Sequence, residues 1–125
     1  FQIWWQIAIG IEALHRHGIV GREIKPESII VSELGHHCTL TDLELAKLMD
    51  SDITVSDHWQ PNPYRAPEIQ GGECYPQADF YSLAKIAAFT ISGECLNNID
   101  AQTAIEEASS SKGIKRFFVK SLSPR

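Results

Sequence analysis

The sequence predicts an α+β chain dominated by helices, on three observations. Apolar residues recur at helical spacing at Ile3, Ile7, Ile11 and Leu14, and a second such series runs from Phe80 to Ile91. Between them lie β-branched runs of two or three residues, which suit short strands or extended segments bracketing a polar loop. A stretch rich in proline and glycine then separates these strands from the second helix.

Taken in order, residues 2 to 17 are expected to form an amphipathic helix in which Trp4 and Ala8 adjoin the apolar stripe, and Gly18 ends it. Ile19-Val20 and Ile29-Ile30-Val31 flank a loop containing Pro26, and Thr39-Leu40-Thr41 follows the turn Glu33-Leu34-Gly35. Residues 43 to 78 carry Pro61, Pro63, Pro67, Pro76 and Gly71-Gly72, so most of this stretch is expected to be irregular apart from a short helix near 66 to 70. A long loop of this kind in a compact domain is usually functional. From Gln77 to Ser92, Phe80, Leu83, Ala84, Ala87 and Ile91 trace a stripe that Ile86 and Phe89 widen to nearly all sides. Such a helix belongs in the middle of a helical core. Two weaker helices are expected at about 100 to 109 and 112 to 122, separated by Ser109-Ser110-Ser111.

With 43% hydrophobic and 22% charged residues over 125 positions, the chain supports one globular core and is neither disordered nor fibrous. A net charge of −5 argues against nucleic acid or an anionic membrane as partner, because phosphate binding needs a basic face. Lys112, Lys115, Arg116 and Lys120 sit at helical spacing and read as a solvated helix face. Cys38, Cys74 and Cys95 lack a paired spacing, which points to reduced thiols and a cytoplasmic or nuclear location. The run from Phe1 to Ile9 is too short and too polar for a membrane span, and no cleavage site follows, so the chain is expected to start inside a domain. His15 and His17 diverge on their helix, and His36-His37-Cys38 lacks further ligands at metal spacing. Trp4, Trp5 and Trp59 do not interleave with basic residues; the first two read as packing residues.

Four motifs occur in order: Gly21-Arg22-Glu23-Ile24-Lys25-Pro26-Glu27-Ser28, Asp42-Leu43-Glu44, Tyr64-Arg65-Ala66-Pro67-Glu68 and Asp79-Phe80-Tyr81-Ser82-Leu83. Any one alone is weak. Together, over nearly the whole chain, they resemble the C-terminal lobe of a eukaryotic-type serine/threonine protein kinase. The resemblance implies a mostly helical lobe with short β-hairpins around the catalytic loop. It makes residues 1 to 125 a partial kinase domain, with the N-terminal lobe, its Gly-rich phosphate loop and its strand lysine expected upstream. It also implies ATP and Mg²⁺ for a competent parent domain, no cofactor for these residues alone, and a protein substrate or partner.

Carried onto this sequence, the resemblance puts Glu23 where the family has its catalytic Asp and Lys25 beside the transferred phosphate. The extra methylene of Glu23 moves the carboxylate by about 1 Å, and a shift of that order can cost roughly 10²-fold in rate. Ser28, Ile30 and Asp42 fall at cofactor-binding positions. Asp42 matches the aspartate that holds the bridging Mg²⁺, while Ser28 replaces an asparagine and is a shorter, poorer ligand for a hard cation. Glu44 replaces a glycine; its carboxylate could join the metal or face solvent. Gly21 replaces a histidine, and Pro61 stands where a threonine hydroxyl links the catalytic carboxylate and lysine.

Framework positions match better. Asp79 corresponds to the acid that accepts bonds from the catalytic-loop backbone. Glu68 corresponds to the partner of an arginine near the domain's end. Arg22 corresponds to the arginine that meets a loop phosphate, for which Ser51, Thr54 and Ser56 are candidates. The departures thus fall on chemistry and the matches on frame, so the expected function is a pseudokinase acting as scaffold or allosteric regulator. A divergent active kinase and a helical interaction module without nucleotide are the alternatives.

Overall fold

A computed structural model describes residues 2–21, 24–35, 37–41, 47–48, 62–67, 76–108 and 112–122. Helix α1 (Gln2–Arg16) runs into strand β1 (Ile19–Val20), a 3₁₀ turn (Pro26–Ser28), and strands β2 (Ile29–Val31), β3 (Cys38–Leu40) and β4 (Lys47–Leu48). Helices α2 (Pro76–Ser92), α3 (Asn98–Ala108) and α4 (Lys112–Leu122) follow. Each helix stops where its chemistry stops it. Gly18 takes φ +72°, a conformation that costs a side-chain-bearing residue more, and its N–H closes α1 on the His15 carbonyl at 3.0 Å. Pro76 opens α2 at the one turn where a missing N–H costs nothing. Asn97 caps α3, its Oδ1 accepting from the Asp100 N–H at 2.9 Å.

Helix α2 lies at the centre and packs against α1, α3 and α4. Every residue from Ala78 to Lys85 except Phe80 is buried, and so are Ile86, Ala87 and Ala88, which fits a helix apolar on nearly all sides. Four buried alanines on α2 let neighbouring backbones come close. The neighbours supply the bulk: Ile7 and Ile11 from α1, Ala101 and Ile105 from α3, Phe118 and Leu122 from α4. Burying each such Ile, Leu or Phe contributes about 1.5–3 kcal/mol relative to leaving it exposed.

Two small antiparallel sheets sit beside this bundle. Strands β2 and β3 pair with Ile29 opposite Leu40 and Val31 opposite Cys38, and β3 docks on α1, where Gln6 Oε1 accepts from the Cys38 N–H at 3.0 Å. Burial raises the Cys38 thiol pKa there. Strand β1 pairs with β4, Val20 opposite Lys47. That strand is a regular piece that the sequence did not single out within 43–78, since Lys47–Leu48 needs only two residues to add a rung to β1, too short a run to show a period. The third strand covers Cys38–Leu40, one residue earlier than expected. Of the short helix expected near 66 to 70, Ala66 and Pro67 are not helical and 68 to 70 lie outside the described residues. Among the described residues no helix is long and apolar enough to cross a membrane.

Candidate functional site

The site grows from one buried carboxylate. Asp79, in the first turn of α2, is fully buried, and its Oδ2 accepts from the Gly21 backbone N–H at 2.9 Å and from His15 Nε2 at 2.8 Å. One acid therefore ties the end of α1 and the exit of β1 to the central helix, in a helix-start position that favours negative charge. His15 follows Ile11 by one helical turn and thus lies on the buried stripe; that spacing was the available signal for its role, and reading it only as a metal candidate missed it.

Gly21 is buried in a tight place. A Cβ there would meet Ile24 Cδ1 at 2.8 Å, Ile24 Cγ1 at 2.9 Å and Asp79 Oδ1 at 3.3 Å. Ile24, fully buried, fills the room that a side chain at position 21 would claim. From Ile24 the chain passes through Lys25, extended at φ −146°, into the 3₁₀ turn at Pro26. That turn is closed by the Ser28 N–H on the Lys25 carbonyl at 2.9 Å, and the Ser28 carbonyl accepts from the Thr41 N–H at 2.7 Å. Ser28 itself is only 1% exposed, so its hydroxyl sits inside the lobe. Lys25 is half-buried, and Ile30 on β2 is open at 62% exposure.

Of the residues expected at the site, the structure brings together Lys25, Ser28 and Asp79 along one loop and its anchor, and leaves Ile30 on an accessible strand. Arg22, Glu23, Asp42, Glu44, Thr54 and Glu68 lie outside the described residues, as do Leu43, Ser51, Ser56 and Pro61. For Mg²⁺ the described part fits poorly, because a buried Ser28 hydroxyl offers one short oxygen to an ion that wants six.

A second polar cluster holds the loop at 62–67. Ser82 on α2 donates to the Tyr64 carbonyl at 2.7 Å, Asn62 Oδ1 accepts from the Tyr64 N–H at 2.9 Å, and the Tyr64 ring meets Phe89 edge-on at 6.4 Å. Burial chiefly, then a hydrogen bond with Cys95, pushes the Tyr64 phenol above its ordinary range. Nearby, Lys85 is 5% exposed; its ammonium donates to the Leu96 carbonyl and lies 3.4 Å from Asn98 Oδ1, which also accepts from Tyr81 at 2.9 Å. Burial lowers its pKa, the neighbouring Cys95 partly opposing.

Asp79 thus sits at the start of a buried helix and grips the chain at the Gly21 backbone N–H. A model of the protein kinase domain matches residues 1–123. The chain belongs to the protein kinase family. Similar curated kinases include a stress-activated protein kinase JNK from Suberites domuncula, 35% identical over 95 residues, covering 74% of this chain and 26% of that protein. A human rhodopsin kinase GRK7 is 44% identical over 64 residues, 51% of this chain and 11% of its own. A mouse ribosomal protein S6 kinase alpha-6 is 33% identical over 90 residues, 70% and 12% respectively. The chain thus spans about a quarter or less of these relatives. Three helices packed around α2, with two short antiparallel strand pairs, form the C-terminal lobe of the kinase fold.

Proposed function

We propose that this kinase lobe serves a protein that works as a pseudokinase, a scaffold or allosteric regulator rather than an efficient phosphotransferase. The observation that carries the reading is the burial of Ser28. At the position where a kinase presents an amide oxygen to Mg²⁺, this chain has a hydroxyl at 1% exposure. The empty side chain at Gly21 supports it, as do the sequence departures at Glu23, Glu44 and Pro61. The frame residue Asp79 keeps two of its bonds, so the loop holds its place without the usual chemistry.

A divergent active kinase is the second reading, favoured by Lys25, half-buried beside the loop where a phosphate would need a cation, and by Asp42 in sequence. In it, Glu23 orients the substrate hydroxyl while Asp42 with Glu44 holds Mg²⁺. Transfer of radiolabelled phosphate from Mg-ATP by the complete protein separates the two. The pseudokinase reading expects transfer at background and no loss in Asp42→Ala; robust transfer that Asp42→Ala abolishes overturns it. A thermal shift with Mg-ATP that Asp42→Ala removes, without transfer, expects nucleotide as a structural ligand. No shift at all reduces the lobe to a helical interaction module.

A further inference from the structure

Helix α4 divides its two faces by charge. Phe118 and Leu122, four apart, are buried in the core, with Ile114 one turn earlier packed against it. Lys112, Lys115, Arg116 and Val119 follow at spacings of three, one and three, which places them on one face, and Lys120 extends it. Lys112, Arg116 and Lys120 are exposed and Lys115 is half-buried. Because the apolar face is committed to the bundle, the cationic face cannot turn inward.

That face is one wall of a cleft of about 400 Å³ against α3, lined by Glu106, Lys112, Lys115, Arg116 and Val119. Three cations therefore meet one carboxylate there. Helix α4 contains no acidic residue, and among the described residues none of Lys112, Lys115 and Arg116 makes an ion pair. Helix α1 handles the same situation differently, setting Arg16 on Glu12 at 2.6 Å. In a chain of net charge −5, a concave patch of unpaired cations is a local reversal of sign.

We propose that the α3–α4 cleft docks a phosphorylated acidic segment of a protein partner. A phosphoryl group brings roughly −1.5 to −2 charge and three acceptor oxygens, which suits a guanidinium flanked by two ammonium groups. Val119 gives an apolar contact for the neighbouring residue. The patch is too short for a polynucleotide: Lys112 to Lys120 covers about 12 Å of helix, and the acidic remainder of the chain repels a long polyanion. It also lacks a membrane helix's broad apolar face, since Phe118, Leu122 and Ile114 are packed in the core and Phe117 alone among the large apolar residues of α4 is exposed. This inference is independent of whether the lobe supports phosphoryl transfer.

The test titrates the complete protein into a fluorescently labelled peptide carrying one phosphoserine among aspartates and glutamates, read by anisotropy. Unphosphorylated and charge-neutral versions of the peptide, anionic phosphatidylserine vesicles and single-stranded oligouridylate serve as comparators. Expected are saturable binding of the phosphopeptide, about tenfold weakening in Lys115→Gln/Arg116→Gln, and weaker binding as salt shortens the screening length. Glu106→Gln removes the one opposing charge and is expected to tighten binding severalfold, a gain that misfolding cannot imitate. Equal binding of the neutral peptide, or indifference to both variants, overturns the proposal. So does tighter binding of vesicles or oligouridylate through the same residues.

Discussion

The two ends of the Gly21-to-Ser28 loop are held in different ways. At its start, a backbone N–H is gripped by the buried Asp79 carboxylate on α2. At its finish, Ser28 is fixed by its own main chain, bonded to Lys25 on one side and Thr41 on the other. The first grip depends on one particular side chain, while the second includes two main-chain bonds that any residue at position 28 can make. The loop's path is therefore expected to depend more on position 79 than on position 28.

The strongest way to break that contrast is Asp79→Ala. It strands the buried Gly21 N–H and the His15 ring together, and each buried polar group left without its partner costs about 1–3 kcal/mol. Urea unfolding followed by tryptophan fluorescence is expected to show a loss of that size, with Asp79→Asn losing less because an acceptor remains. Ser28→Ala, by contrast, is expected to cost about 1 kcal/mol, as the backbone bonds stay. A comparable loss in both variants erases the distinction between the two ends.

Much of the frame was legible because it rests on periodicity. The stripes at Ile3, Ile7 and Ile11 and from Phe80 to Ile91 gave α1 and α2 within a residue or so, whereas Asp79 was marked by the motif's resemblance to the kinase family rather than by pattern alone. What was not legible depends on partners distant in sequence. Strand β4 exists because β1 offers it a rung, and the link from His15 to Asp79 joins positions 64 apart. The closure of Ser28 likewise comes from Thr41 across the β2–β3 pair. A serine at position 28 was legible in one dimension, but only the packing shows that it is buried.

Gly21 sharpens the comparison at smaller scale. If the missing side chain were a simple defect, Gly21→His would repair the loop. With Ile24 already in that space, the variant is instead expected to overpack and lose about 1–3 kcal/mol. Ile24→Ala alone opens a hollow costing about 2–5 kcal/mol, and combining the two is expected to cost less than their sum. Simple additivity in that double-mutant cycle would mean that Ile24 does not occupy the place of the lost ring.

The smallest effect concerns the second region where α2 grips neighbouring chain, around Tyr64 and Lys85, and it is read from the dependence of stability on pH. The folded chain holds the Tyr64 proton beyond the phenol's ordinary 10.0, so this group's contribution is complete below that pH and is lost as pH rises through the higher folded value. Lys85 acts in the opposite sense. Its folded pKa lies below 10.5, so the unfolded chain binds the proton more readily, and stability from this residue rises with pH between the depressed value and 10.5. Tyr64→Phe is therefore expected to remove a late tyrosine step from an ultraviolet absorbance titration and to abolish the alkaline loss of stability. Lys85→Met is expected to raise stability at neutral pH and to flatten the rise that precedes that loss. A Tyr64 phenol that ionises with free tyrosine would mean that the 62–67 loop is held through Ser82 and its own backbone rather than through the Tyr64 hydroxyl.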